Sequence, residues 1–284
     1  MKLTPNLSIP LSTLLLLILL PTPTHTTDCT EAEISQWSTS SCTCHDPNTF
    51  TTCPHTCPLG PSSAQCAPNP NTPLQQCHVG CTDANKDCST CALYFGGMCR
   101  CISSQNCFHD ASTDPWTLLH DHKLITTSHH TPGILNLHGD NRGWELGQIV
   151  FATGTVSSRA DGALAMNSVH SRSEEQVHVH VCDRPVSVFR TYLNGIASPA
   201  AYAQGLTPMD FDQLGFQKHS VLCRAEKAGS LDVADVIESY LNGLSSAAPC
   251  AWYYAGAGLI SDQKGYTWGC VTTTGSAEFL FCMN

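Results

Sequence analysis

Eighteen cysteines, thirteen of them crowded between Cys29 and Cys107, restrict what this chain can fold into more than any other feature of its sequence. Cysteine use on that scale belongs to an oxidising compartment, where thiols persist as cross-links. The crowded stretch is otherwise Pro, Thr, Ser, Asn and Gln, with Trp37, Phe50, Leu74, Leu93, Tyr94 and Phe95 as its few large apolar side chains. Such a segment cannot bury enough surface to offset its chain entropy, so covalent bridges must hold it, each contributing roughly 2–4 kcal/mol. The spacings Cys53-x-x-x-Cys57, Cys77-x-x-x-Cys81, Cys88-x-x-Cys91 and Cys99-x-Cys101, with His45, His55 and His78 nearby, also fit zinc knuckles, a reading that a secreted chain disfavours. Thirteen is odd, and so are the five that follow, Cys182, Cys223, Cys250, Cys270 and Cys282. If every thiol is oxidised, an odd number of bridges must join the two parts, and one is the simplest case.

The start of the chain fits the same compartment. Lys2, the apolar run Leu11 to Leu20 and the small-residue stretch Pro21 to Thr27 read as a signal peptide over residues 1–26, too short for a comfortable membrane span. An uncleaved membrane anchor is the alternative. The sequon at Asn6 falls inside this segment, so N-glycosylation of the mature chain is not expected. No later stretch is long and apolar enough to span a bilayer. The expected organisation is therefore a signal peptide, a cysteine-rich disulfide module over 27–109, and a globular domain over 110–284. A net charge of -10 opposes a general nucleic-acid binder, which needs a basic stripe.

From Thr117 the composition becomes that of an ordinary core-forming domain. Lys123 to Thr127 reads as a short strand. Leu146, Ile149, Val150 and Thr153 recur at helical spacing and predict a helix over 142–157 with Asp140 or Asn141 as its cap. Gly162 to Ser168 returns as a strand. Past Pro185, Val186, Phe189 and Leu193 mark a short helix ending at Asn194-Gly195, and Ala197 to Pro208 reads as an irregular covering loop. Ser230 is the expected cap of an amphipathic helix carrying Val233, Val236, Ile237, Tyr240, Leu241 and Leu244. Cys250–Ile260, Tyr266–Thr272 and Glu278–Cys282 read as three strands. The fold class expected is α+β with a largely antiparallel sheet.

Between these elements lies the stretch with the most chemistry. Gln176, His178 and His180 alternate with Val177, Val179 and Val181, so a strand here sets three polar side chains on one face. Histidines can decorate a polar sheet face by chance, and a His-x-His pair is also a common metal-ligand arrangement that would still need a third protein ligand. The surrounding residues say more. Ser173-x-x-Gln176-Val-His178-Val-His180-Val resembles the signature of the histidine-triad (HIT) superfamily, with Gln176 where the first histidine would stand. More narrowly, Ala-Met-Asn-Ser, then Arg172-Ser173, His-Val-His-Val-Cys and Arg184-Pro185 resemble the bacterial CDP-diacylglycerol pyrophosphatases, with a weaker echo in Ser220 to Glu226. His122 to His130 resembles the HIT strand that runs from one histidine to another eight residues on, without its usual proline. Another register, His178 first and Cys182 third, would make His180 central; the spacing from Ser173 favours His178. The order strand, helix, strand, loop, strand is also that of the HIT core.

The resemblance implies a HIT-like antiparallel sheet with packed helices and a phosphoanhydride hydrolase that works through a nucleotidyl-histidine. In that reading neutral His178 is the nucleophile, which suits imidazole with its unperturbed pKa of about 6.5. Gln176 and His180 donate to phosphate oxygens, and Ser173 holds the leaving or bridging oxygen. Asn167, His130 and His122 complete the substrate pocket, and Arg172 is either a phosphate clamp or an exposed loop arginine. No cofactor or metal is expected. The implied substrate is CDP-diacylglycerol, hydrolysed to CMP and phosphatidate, and the implied assembly a possible homodimer. A secreted protein would not meet the cytosolic lipid, so another nucleotide diphosphate conjugate stays open. So do two readings of another class: a non-catalytic nucleotide or ligand binder that kept the scaffold, and an extracellular interaction protein in which residues 29–107 do the work.

Overall fold

Nine strands, every neighbouring pair antiparallel, form one sheet in the computed structural model, which describes residues 107–119, 123–127, 131, 133–171, 177–227, 229–244 and 251–283. The signal segment and the cysteine-rich stretch up to residue 106 lie outside the described residues. The strands are β1 (Cys107–Phe108), β2 (Trp116–Leu119), β3 (Leu124–Thr127), β4 (Gly162–Met166), β5 (His178–Asp183), β6 (Thr207–Pro208), β7 (Val221–Lys227), β8 (Gly256–Ser261) and β9 (Tyr266–Thr272). Their order across the sheet is β1-β2-β3-β5-β4-β8-β9-β7-β6. Cys107–Phe108, which composition places in the cysteine-rich module, pair with Leu118–Leu119 as an edge strand of this sheet.

Alternation along β5 decides what each face holds. Val177, Val179 and Val181 point into one core with Trp116, Leu118, Ile125, Leu164 and Leu259. That core is closed by Trp144, Leu146 and Val150 of α1 (Arg142–Thr153) and by Val233, Val236 and Ile237 of α3 (Val233–Gly243). Helix α1 lies close on the sheet because position 147 is glycine; a Cβ there would meet the Leu164 side chain at 2.4 Å. On the other face Cys182 joins Ala163, Ala165, Ile260, Trp268 and Cys270 beneath Phe189 and Leu193 of α2 (Val188–Gly195) and Phe281 of the C-terminal segment. The domain is thus α+β, two cores separated by one antiparallel sheet.

The caps differ from expectation in an instructive way. Helix α1 stops at Thr153, four residues short of Ser157, because Gly154 takes the left-handed conformation at φ 69 and closes it. Asn141 does not cap its own helix; there its amide donates to the Glu145 side chain at 3.2 Å. Its Oδ1 instead accepts from the backbone N–H of Val233 and Ala234, at 3.0 and 3.2 Å, so it caps the neighbouring α3. Helix α3 begins with Asp232, not Ser230: the Asp232 carboxylate accepts from Asp235 N at 2.9 Å. Ser187 caps α2 in the same manner, accepting from Arg190 N.

The third C-terminal strand is not formed; Phe279–Met283 is a π-helical turn. The strands before it leave no room, since β8 is flanked by β4 and β9, and β9 by β8 and β7. With no free edge beside them, the segment crosses the sheet face and satisfies its backbone as a helical turn. Phe281 lies where a side chain on Gly258 would be, 2.3 Å from the position of its Cβ. Two disulfides lie in this layer. Cys182–Cys282 ties β5 to the C-terminal turn across a Cα separation of 5.2 Å, and Cys223–Cys270 joins directly opposed residues of β7 and β9 at 4.1 Å. No described helix is long and apolar enough to cross a membrane.

Candidate functional site

The alternation of β5 brings His178, His180 and Cys182 to the face covered by the C-terminal turn. On the strands beside it, Thr126 stands opposite His178, Leu124 opposite His180, and Ala165 opposite His180 from the other side. Thr126 pins the strand from within, its Oγ1 donating to the Val177 carbonyl at 2.7 Å in a buried bond. The two imidazoles meet edge to face, ring centroids 4.8 Å apart and planes at 74°. His178 is 7% exposed.

His180 is half-buried by solvent exposure, its side chain 19% exposed, yet its ring lies deep enough to be desolvated. Removal from water penalises its charged form and pushes its pKa down to about 4, so it is neutral at physiological pH. Its Nε2 lies 3.4 Å from Oε2 of Glu278, outside hydrogen-bonding alignment, and is buried with no hydrogen-bond partner among the described residues. The carboxylate opposes the desolvation, but it is itself partly in water, with its side chain 34% exposed. We take burial as the larger effect and the neutral ring as the resting state.

Glu278 is held in place by Asn167, just past β4. The Asn167 side-chain carbonyl accepts from Ser276 Oγ at 2.7 Å and from Glu278 N at 3.1 Å, and its amide donates to Glu278 Oε2 at 3.2 Å. Asn167 is therefore an anchor for the turn that crosses the site, with one N–H of its amide still to donate. Four residues on, the Cys282–Cys182 bridge fastens the same turn to the histidine strand. Arg184 adds to this, its Nε donating to the Cys282 carbonyl at 2.7 Å. The buried Arg190 is committed to backbone carbonyls, those of Arg184, Ser261, Asp161 and Gly162, and serves the fold.

Of the site residues expected from sequence, the structure brings His178 and His180 together and links Asn167 to them through Glu278. Gln176, Ser173, Arg172, His130 and His122 lie outside the described residues. Among the described residues no group of three His, Cys, Asp or Glu side chains is placed to hold a metal ion. Sequence reasoning missed Glu278, which sits at the start of a segment that reads as a strand; the signal that could have found it is Cys282, whose partner on β5 draws that segment across the histidines. No protein-family model matches the chain, and no curated protein matches it.

Proposed function

We propose that this protein is a secreted, HIT-like phosphoanhydride hydrolase that cleaves a nucleotide diphosphate conjugate, of the CDP-diacylglycerol kind, through a nucleotidyl-histidine. A nitrogen of neutral His178 attacks the α-phosphorus, and the bond from that phosphorus to the bridging oxygen breaks, releasing the phosphate-bearing remainder, phosphatidate in the case of the CDP-lipid. Water then attacks the same phosphorus, the P–N bond breaks with its electron pair returning to the imidazole, and CMP leaves. Gln176, His180 and Ser173 stabilise the charge that develops on the phosphate oxygens, while Arg172, His130, His122 and the remaining N–H of Asn167 hold the substrate.

The observation that carries this reading is the paired imidazoles on one strand face, with the second kept neutral by burial. A neutral neighbour adds no positive charge that would depress the nucleophilicity of His178, and its ring N–H is available to donate to a phosphate oxygen of the substrate. Intact mass measured on the purified protein after brief exposure to CDP-diacylglycerol and a panel of nucleotide diphosphate conjugates, quenched without strong acid because phosphoramidates are acid-labile, tests it. One nucleotidyl adduct that vanishes in His178→Ala is expected. No adduct and no product with any of them would sink the reading.

A further inference from the structure

A carboxylate at the rim of a site for a dianionic diphosphate repels the substrate it faces, so its presence calls for a role toward some other reactant. Glu278 has the properties of a group that acts on water. It is partly exposed, with its side chain at 34%, so solvent reaches it. Its position is fixed from three sides: by the Asn167 amide on Oε2, by the Asn167 carbonyl on its own backbone N–H, and by the disulfide that anchors the turn to β5. The adjacent ring does not neutralise it, because His180 is held uncharged by burial. The carboxylate lies 3.4 Å from His180 Nε2, and the His178 ring is the next one along the strand, 4.8 Å between centroids. A water on the exposed part of the Glu278 carboxylate would therefore lie beside the imidazole pair that carries the phosphorus.

From this geometry we infer that Glu278 is the general base for the second half of the reaction, an assignment that rests on the nucleotidyl-histidine reading above. The carboxylate takes a proton from water as the water oxygen bonds to phosphorus. The P–N bond breaks, its electron pair returns to His178, and the proton leaves Glu278 to solvent once the nucleotide has departed. The first half of the reaction, in which the imidazole itself is the nucleophile, does not use Glu278.

Rapid-quench measurement of adduct formation and adduct decay in wild type and Glu278→Gln, with the conjugate that labels the wild type, separates the two halves. Glutamine keeps an oxygen for the Asn167 amide and the same backbone bond, so the turn stays seated, which an unchanged thermal unfolding midpoint verifies. Formation is expected to stay within about twofold of wild type while decay slows on the order of 10²-fold, so that the adduct accumulates. Formation and decay falling together would make Glu278 a positioning residue for His180 and overturn the assignment, as would decay left unchanged. If glutamine unseats the turn, Glu278→Asp, which keeps the carboxylate but withdraws it by one methylene, must slow decay more than formation or the assignment fails. Absence of adduct and product from wild type and variant alike would overturn the nucleotidyl-histidine itself, an outcome distinct from a wild type that turns over through an adduct whose decay ignores Glu278.

Discussion

A neutral buried imidazole has a thermodynamic signature. In the unfolded chain His180 would titrate near its ordinary value of about 6.5, whereas in the folded domain burial pulls it to about 4. Between those values the unfolded state binds a proton that the folded state refuses, so stability rises with pH across this window and is fully present above it. As pH falls from 6.5 toward 4 the domain should lose up to about 3 kcal/mol from this one residue, less whatever the nearby Glu278 carboxylate recovers. Thermal unfolding of wild type and His180→Gln at pH 7.5 and pH 5 measures it: the drop between the two pH values should be smaller in the variant, and an equal drop would place the loss elsewhere. On activity, His178→Ala should remove nearly all turnover with the fold intact, and His180→Ala should reduce it less. A His178→Ala protein that still forms the adduct, with His180→Ala the more damaged, would shift the register by one histidine.

Elements in this domain depend on residues that belong to their neighbours. Asn141 lies at the start of α1 but caps α3, so Asn141→Ala should cost about 1–2 kcal/mol and leave the first N–H groups of α3 unbonded, a loss read as faster amide exchange at Val233 and Ala234. The C-terminal turn is seated by the absence of a side chain at position 258, where a Cβ would meet the Phe281 ring. Gly258→Ala should therefore cost roughly 1–3 kcal/mol by overpacking and shift Glu278 from the histidines, so that activity falls further than stability alone explains. These cases mark what the sequence made legible. The strand at 178–183 and all three helices could be read because each carries its own periodicity, whereas the strands at 124–127 and 162–166, buried on both faces, could be read only as short runs. The α3 cap and the π-helical turn could not, since Asn141 acts across 92 residues of sequence and the turn is dictated by the occupied edges of β8 and β9. Glu278 was hidden for the same reason: nothing local distinguishes it, and only the pairing of Cys182 with Cys282 brings it beside His180.

Across the whole chain the cross-links extend the logic from this domain to the module before it. The Cys182–Cys282 bridge closes a loop with a sequence separation of 100, for which chain-entropy reasoning gives about 4–5 kcal/mol, so the C-terminal turn owes much of its hold on the sheet to oxidation. Together with Cys223–Cys270 it uses four of the five cysteines that follow Cys107. Cys107, on the edge strand, is itself disulfide-bonded, to none of those four. The fifth, Cys250, lies outside the described residues, and counting alone assigns its class of partner: in a fully oxidised chain it must pair with one of the thirteen between Cys29 and Cys107. The 3₁₀ turn that follows it, Ala251–Tyr254, packs beside the approach to the histidine strand, with the Tyr253 carbonyl accepting from His170 N at 3.0 Å and the Tyr254 ring 4.7 Å from that of His170. A bridge from Cys250 to any of the twelve cysteines before Cys107 would thus join the cysteine-rich module to the domain near the residues that lead into the site. Proteolysis without reduction, followed by mass mapping, should recover the Cys250 peptide linked to a peptide from residues 29–107. A free Cys250 thiol, or a Cys250 peptide linked to its own copy in a covalent dimer, would overturn this assignment.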